Sequence, residues 1–308
     1  MKILITLHDL AQYGGVQSWV WTMAHELGEH HQVDVFCHVG GPMSKEIQQL
    51  GTGYLYEKDL PPDNYDLILV NHNTTARFFI DYDAVSIYTQ HGPTHEVEQY
   101  QGNCDGVVGV SEEVCAVLKG RGHTPTYILN PINLNRFFGW GQGEGILNLC
   151  KSKTAQEQVD QVLNELEVPH TNLHYDTNPT FEVEDLMRQH QIVIGYGRCI
   201  YEGLALGMDC FIYGTRLPGP EIVADGWVTE ENIDTLIKKN CSGRTKKSPA
   251  DLDELKLEMI FRPKPSQTPT SWQRKWAEAN VDSETQSMKY LDLYEQLLPL
   301  QARRAEYA

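Results

Sequence analysis

The sequence predicts an α/β fold made of two Rossmann-like domains. The chain has 308 residues, a length that suits two α/β domains of ordinary size better than one compact domain. Short β-rich apolar runs alternate with amphipathic segments, which is the pattern of a parallel sheet covered by helices on both faces. The pattern breaks once, near residue 140, and then resumes. We therefore expect two copies of one architecture that face each other across a cleft.

The first domain is predicted to span residues 1–138. Strands are expected at Lys2–Thr6, Val33–Cys37, Leu67–Val70, Val85–Thr89 and Gly106–Val110, and helices at Gln17–Leu27 and Glu112–Leu118. Ser111 directly precedes the second of these helices, where a serine hydroxyl can accept a hydrogen bond from a backbone N–H of the first turn. We therefore expect Ser111 to cap that helix.

The second domain is predicted to span residues 139–282. The stretch Phe137–Gly145 contains four glycines, which are too many for the interior of a helix or strand and suit a hinge between domains. Strands are expected beyond it at Ile146–Leu149, Asn172–His174, Ile192–Ile194 and Cys210–Tyr213, and helices near Thr154–Leu166, Glu182–His190, Arg198–Leu206 and Ser271–Asn280. A last helix is expected within residues 283–308.

Composition and charge argue against several classes of protein. Lys and Arg total 25 against 42 Asp and Glu, and the net charge of −17 disfavours binding to the phosphates of a long nucleic acid. No apolar run approaches the ~20 residues needed to span a bilayer, so a cytoplasmic protein is expected. The seven cysteines form no C-x-x-C pair, which predicts neither a disulfide framework nor a zinc site.

Two glycine-containing segments have the pattern of anion-binding turns. Gly14 and Gly15 follow the first strand and open a helix, whose N-terminus offers unpaired N–H groups and a partial positive charge. In the second domain, Gly195 and Gly197 end a strand directly before Arg198, an arrangement suited to a diphosphate.

Glu202 lies four residues after Arg198 and therefore on the same face of the predicted helix. Its carboxylate could accept hydrogen bonds from the hydroxyls of a ribose that the helix start holds. The alternative is an ion pair between Glu202 and Arg198 on the helix surface, which would contribute only tenths of a kcal/mol to stability. Both alternatives stay open on the sequence alone.

Several further motifs occur in a fixed order along the chain. The segments are Gly14–Gln17 (GG-x-Q), His91-Gly92 at the end of a strand, Val108–Glu112 (V-x-V-S-E), Asn130–Phe137 (N-x-I-N-x-x-x-F), Gly195–Arg198 (G-x-G-R), Glu202–Cys210 (E-x-x-A-x-G), Ala224–Asn232 (A-D-G-x-V-T-x-E-N) and Asn240–Arg244 (N-x-S-G-R). Over most of its length the chain thereby resembles the retaining GT-B glycosyltransferases, a group that includes sucrose synthase-like and mannosyltransferase-like enzymes of the family 4 and family 1-like types. The G-x-G-R element is similar to that of one subgroup.

The resemblance implies a transferase that takes a sugar from a UDP- or GDP-sugar with retention and uses neither a metal ion nor another cofactor. It places His91 beside the transferred sugar and Arg198 and Glu202 at the donor. Lys151 and Lys153 are the nearest candidates for the lysine that usually grips the donor diphosphate. Acceptor-side candidates are Asn71, His72 and Asn73, which follow the strand Leu67–Val70, together with Ser111 and Glu112. The last helix, residues 283–308, is implied to pack back towards the first domain.

Two alternatives to an active transferase of this kind stay open. The first glutamate of the donor motif E-x7-E would fall at Ile194, so the chain could be a nucleotide-sugar-binding protein that has lost catalysis. The basic stretch Lys238–Lys247 could instead belong to an enzyme that glycosylates hydroxymethylated bases in viral DNA, although the net charge of −17 argues against a nucleic-acid partner.

Overall fold

A computed structural model describes most of the chain as two compact units. The described residues are 1–56, 64–141, 143–174, 176–215, 221–246, 250–262 and 272–307. The first unit comprises Met1–Asn133 together with Ser283–Ala308, and the second comprises Leu134–Asp282. The boundary between the units therefore precedes the predicted boundary after residue 138, and the C-terminal residues belong with the first unit.

The first unit is built on a seven-stranded sheet in which every strand pair is parallel. The strands are β1 (Lys2–Asp9), β2 (Gln32–Val39), β3 (Gly53–Tyr56), β4 (Leu67–Val70), β5 (Val85–Gln90), β6 (Gly106–Gly109) and β7 (Thr126–Tyr127), in the spatial order β3-β2-β1-β4-β5-β6-β7. The helices are α1 (Gly15–Gly28), α2 (Pro42–Gln48), α3 (Asn73–Phe78) and α4 (Glu112–Gly120). This strand order makes the unit Rossmann-like, as predicted.

The central strands of this sheet are continuous apolar runs because both faces are covered. In β1 the residues Ile3, Leu4 and Ile5 are fully buried, and in register Ile3 lies opposite Val33 of β2 and Leu67 of β4. All five strands predicted for this unit are present. The edge strands β3 and β7 were not predicted, and β7 has only two residues, which are too few to produce a pattern.

The second unit is built on a five-stranded sheet. Its strands are β8 (Ile146–Asn148), β9 (His170–Asn172), β10 (Ile192–Gly195), β11 (Asp209–Thr215) and β12 (Ile222–Trp227), in the order β12-β11-β10-β8-β9, and its helices are α5 (Lys153–Glu165), α6 (Val183–Arg188), α7 (Arg198–Ala205), α8 (Ile233–Leu236), α9 (Leu252–Ile260) and α10 (Trp272–Asn280). Strands β8 to β11 pair in parallel, whereas β12 is antiparallel to β11 and was not predicted. The strand predicted at Asn172–His174 is wrong by two residues, since β9 begins at His170, opposite Ile146.

The last helix, α11 (Ser283–Tyr307), packs on the first unit. Its Tyr290 is fully buried and shares a hydrogen bond of 3.0 Å with Thr89 of β5. Gly106, the first residue of β6, leaves space for the side chains of Leu293 and Leu297. This helix therefore covers one face of the first sheet.

The glycines of Phe137–Gly145 serve close packing inside the second unit. A Cβ atom at Gly141 would lie 2.2 Å from the carbonyl oxygen of His190, and one at Gly143 would lie 1.6 Å from that of Gln189. The backbone can approach the end of α6 this closely only because these positions carry no side chain. Gly139, by contrast, would meet nothing within 4 Å, and the hinge expected in this stretch stays a prediction.

Within the described ranges, no helix combines the length and the apolar character that crossing a membrane requires.

We expect Gly143→Ala to destabilise the protein by roughly 1–3 kcal/mol, because the new methyl group must displace the backbone of Gln189. Gly120→Ala is the matched control, since a Cβ atom at Gly120 meets nothing within 4 Å and lies at the end of α4. Chemical denaturation of both variants measures the difference, and equal stabilities would contradict the close packing.

Candidate functional site

The predicted site residues lie at the carboxyl edges of the two sheets, where ligands of doubly wound α/β domains bind. In the first unit they are Gly14, Gly15, Asn71, Asn73, His91, Ser111 and Glu112, and in the second they are Lys151, Lys153, Gly195, Gly197, Arg198 and Glu202. Parallel pairing explains this grouping, because all parallel strands of a sheet end at the same edge.

The turn between β1 and α1 exposes the start of a long helix. Gly14 is the N-cap residue and Gly15 the first residue of α1. The turn is closed by hydrogen bonds to Asp9, whose carbonyl oxygen accepts from Gln17 Nε2 at 3.0 Å and whose Oδ1 accepts from Ala11 N at 2.5 Å. A Cβ atom at Gly15 would meet nothing within 4 Å. The helix start therefore has room for an anionic group near it.

His91 is held in one orientation by a buried chain of hydrogen bonds. Asn71 Nδ2 donates to the carbonyl oxygen of Thr6 at 3.0 Å, so Asn71 Oδ1 is the acceptor that lies 2.8 Å from His91 Nε2. This assignment places a hydrogen on Nε2 of His91. The indole of Trp19 meets the imidazole edge-on, with the ring centres 5.5 Å apart. Asn71 is fully buried, so it acts on a substrate only by positioning His91.

A second histidine, His72, is buried beside this chain. Its Nδ1 accepts a hydrogen bond of 3.4 Å from the backbone N–H of His8, whose own Nδ1 lies 3.2 Å from the hydroxyl of Thr74. Burial lowers the pKa of His72 to about 4, and the nearby His8 and His95 add to this effect. His72 is therefore neutral at physiological pH. Sequence reasoning missed His8, which only the pairing of β1 with β4 brings to this place.

Other acceptor-side candidates have structural partners. Asn73 Nδ2 donates to the carbonyl oxygen of Glu96 at 3.0 Å. Ser111 caps α4, as predicted, by accepting from Val114 N at 3.2 Å, and its side chain is fully buried. Glu112 follows in the first turn and is exposed. Ser111 thus shapes the end of β6 rather than presenting its hydroxyl at the surface.

The segment between β10 and α7 is constrained by its glycines. A Cβ atom at Gly195 would lie 2.7 Å from the sulfur of Cys199. Gly197 has φ of 71°, a conformation that favours glycine, and its N–H donates to the carbonyl oxygen of Cys241 at 2.9 Å. The N–H of Gly197 therefore already has a backbone acceptor in this structure, and the diphosphate role of this turn stays a prediction.

Arg198 and Glu202 form a buried ion pair across one turn of α7. Arg198 Nε lies 2.7 Å from Glu202 Oε1, and the two side chains are only 10% and 9% exposed. Burial lowers the pKa of Arg198 and raises that of Glu202, while each partner opposes the shift of the other. The ion pair that the sequence left open as the alternative to the ribose role is present, but it is buried rather than on the helix surface, so solvent does not screen it as it does an exposed pair.

A second buried ion pair, which sequence reasoning missed, lies in the same unit. Arg136 binds both carboxylate oxygens of Glu184, with Nε to Oε1 at 2.8 Å and Nη2 to Oε2 at 2.7 Å. The guanidinium also lies 3.8 Å from the centre of the Phe181 ring. Arg136 occupies a variable position of the motif Asn130–Phe137, so no pattern identified it.

The two lysine candidates are exposed. Lys153 begins α5 and lies 3.8 Å from Glu157, with the two side chains 83% and 65% exposed. Lys151 is also exposed, and its carbonyl oxygen lies 2.9 Å from Nε2 of His174. Both lie beyond the carboxyl end of β8, as expected, but the described structure does not fix the ammonium group of Lys153 in a buried site.

No group of three or more His, Cys, Asp or Glu side chains among the described residues is arranged to hold a metal ion. The second unit instead offers buried guanidinium groups, which can bind phosphate oxygens. The first unit offers imidazoles, which can hydrogen-bond hydroxyl groups.

We expect His72 to make the protein less stable in mild acid. The unfolded chain binds a proton on this residue near pH 6.5 and the folded chain only near pH 4, so its contribution is complete above pH 6.5 and is lost as the pH falls towards 4. The loss is at most about 3 kcal/mol. His72→Asn keeps an acceptor for the N–H of His8 and should flatten the pH dependence of denaturation, whereas His30→Asn, at an exposed histidine, should not.

We expect Glu202→Gln to cost about 3 kcal/mol of stability, because it leaves the charge of Arg198 buried without its partner. Glu157→Gln is the matched control, since it breaks an exposed pair with the same spacing and should cost less than about 0.5 kcal/mol. Denaturant titration of both variants gives the comparison, and equal costs would contradict the burial of the first pair.

Comparisons with known proteins show which solved structures have a similar fold. No family model matches the chain, and no curated protein matches it in sequence. Among solved structures, Anabaena HepE in complex with UDP-glucose is 12% identical, with 96% of this chain and 100% of that one covered and a TM-score of 0.66.

Two further solved structures match over nearly the whole chain. Sucrose-phosphate synthase from Thermosynechococcus elongatus is 12% identical, with 97% and 100% of the two chains covered and a TM-score of 0.61. S. aureus MnaA, solved with UDP, is 10% identical, with 97% and 98% covered and a TM-score of 0.60. At such identities the likeness concerns the fold. The chain has the GT-B fold, with two Rossmann-like α/β domains.

Proposed function

We propose that this protein is a glycosyltransferase that moves a sugar from a nucleotide-sugar donor to an acceptor. The observation that carries the proposal is the start of α7, where Arg198 and Glu202 lie together at the carboxyl edge of the second sheet. A guanidinium can bind phosphate oxygens in a bidentate manner, and a carboxylate one turn on can accept hydrogen bonds from ribose hydroxyls.

UDP-sugars are the donor class that we propose first. HepE was solved with UDP, with UDP and glucose, and with UDP-glucose, and MnaA with UDP. Those ligands belong to those proteins, and their shared fold is the reason to test the same class here. The sequence motifs themselves left GDP-sugars open.

The ion pair of Arg198 with Glu202 has a consequence for donor binding. Glu202 cannot bind the ribose and pair with Arg198 at the same moment, but it can do both in turn if the ion pair opens when the donor binds. We infer that donor phosphate competes with Glu202 for Arg198, and that the released carboxylate turns to the ribose. The exchange conserves the number of charge-assisted hydrogen bonds around Arg198, so it need not weaken binding.

In the proposed reaction, negative charge develops on the leaving diphosphate while the sugar passes through an oxocarbenium-like state. Buried guanidinium groups stabilise the diphosphate by preorganised electrostatics, the role that a metal ion has in other transferases. His91, with a hydrogen on Nε2 that is directed to Asn71, presents a fixed imidazole to the sugar or acceptor. Retention and metal independence follow from the sequence resemblance and are part of this proposal.

The test is a donor screen on the purified protein. We expect UDP at 100 times its dissociation constant to stabilise the fold by ~2.7 kcal/mol. With UDP-glucose and other UDP- and GDP-sugars, release of nucleoside diphosphate should occur, should rise with the correct acceptor, and should survive EDTA.

Each other outcome identifies a different alternative. Binding without any turnover would favour the sugar-nucleotide-binding protein that has lost catalysis. Salt-sensitive binding of DNA with turnover on hydroxymethylated bases would favour the DNA-modifying transferase. Loss of activity in EDTA, restored by Mg²⁺ or Mn²⁺, would overturn metal independence. Absence of binding by every nucleotide tested would overturn the proposed function.

A further inference from the structure

The donor site of the proposed function lacks a fixed second cation among the residues that the sequence suggested. A nucleoside diphosphate carries more than one negative charge, and burying it beside Arg198 alone would leave part of that charge unbalanced. Lys153 is mostly exposed, with 83% of its side chain accessible, and pairs with Glu157. A flexible, hydrated ammonium group of this kind contributes little preorganised potential.

Arg136 has the properties that Lys153 lacks. Its side chain is only 14% exposed and that of Glu184 only 12%. Two hydrogen bonds to Glu184, a further one to the carbonyl oxygen of Phe181, and the ring of Phe181 hold the guanidinium in place. Its own backbone carbonyl accepts from Arg188 Nη2 at 2.7 Å. The group is therefore fixed before any ligand arrives, which lowers the entropy cost of binding.

The two buried pairs are close enough to act on each other. Burial is the largest influence on the pKa of Arg198 and lowers it, and the charge of Arg136 lowers it further. Burial raises the pKa of Glu202, and the charge of Glu184 raises it further. The charges of Arg198 and, to a smaller extent, Arg136 lower it. The backbone also brings these places together, because Arg274 Nη1 donates to the carbonyl oxygen of Phe137, next to Arg136, at 2.8 Å and to that of Ala205, the last residue of α7, at 3.0 Å.

Together the four side chains form a buried cluster of two arginines and two glutamates with no net charge. Ion pairs buried in this way contribute little net stability, because desolvation offsets their attraction. A neutral cluster of charged groups can nevertheless accept an anion when one carboxylate, here that of Glu202, turns away from its arginine. This property suits a site that has to remain stable both with and without a charged ligand.

We propose that Arg136 is the second cation that binds the diphosphate of the donor, and that Glu184 is the residue that positions it. The proposal rests on the proposed function, since it concerns the same nucleotide site. It assigns to Arg136 the role that the family resemblance implies for Lys151 or Lys153. When the diphosphate binds, it takes hydrogen bonds from Arg136 and Arg198. Glu202 then turns from Arg198 to the ribose, while Glu184 keeps the guanidinium of Arg136 oriented.

The test compares UDP with uridine, because only the former carries phosphate. In calorimetric titrations, Arg136→Met should bind UDP roughly 10- to 100-fold more weakly, the range for loss of a hydrogen bond to a charged group, and bind uridine as the wild type does. Lys153→Met is the control, since it removes a cation that also lies beyond the carboxyl end of β8 but is exposed and pairs with Glu157. It should leave the preference for UDP over uridine unchanged.

Arg136→Lys is the second variant, because it keeps the positive charge beside Glu184 and is expected to fold even if Arg136→Met does not. It should retain part of the preference for UDP over uridine, and thermal denaturation should show that it is folded. An unchanged preference in Arg136→Met, or equal weakening of UDP and uridine in both variants, would overturn the role of Arg136 and leave the transferase function standing. A wild-type protein that binds no UDP would overturn both.

Discussion

Parallel pairing of β10 with β8 and β11 is the constraint on which the candidate donor site depends. Ile194 lies between Asn148 and Phe211 in register, so the loops that follow these strands leave the sheet at one edge. The helix α7 starts at that edge directly after Gly197, and Arg198 is its first residue. Without this register, the helix start, its arginine and the turn after β8 would not lie together. The same logic brings His8, His72 and His91 to the edge of the first sheet.

The two edges differ in their electrostatics, and the difference fits two roles. In the first unit, burial keeps His72 neutral, and Asn71 holds the imidazole of His91 in one orientation, so this edge offers positioned hydrogen-bonding groups. In the second unit, four buried charges are arranged as two ion pairs. Hydroxyl groups suit the first kind of surface, and phosphates suit the second. In the proposed function, the first domain would accordingly bind the acceptor and the second the nucleotide.

Glycines contribute in two distinct ways to this arrangement. Gly197 is needed for its backbone conformation, because a positive φ turns the chain from β10 into α7. Gly141 and Gly143 are needed for space, because neighbouring carbonyl oxygens occupy the positions of their absent side chains. In the sequence, both kinds of glycine appear only as a break in a regular pattern. The contacts and backbone angles of the structure are needed to tell a glycine required for a turn from one required for close packing.

The sequence by itself determined the two-domain α/β architecture, most of the strands and the position of the helix that begins at Arg198. These features depend on local periodicity and on neighbours a few residues apart, as do the cap by Ser111 and the spacing of Arg198 with Glu202. Only the tertiary structure decided that this pair is buried, that β12 is antiparallel, and that Arg136 meets Glu184 across 48 positions of sequence. Burial and long-range pairing depend on how the strands align and how the helices pack. Local patterns in the sequence show neither the alignment nor the packing.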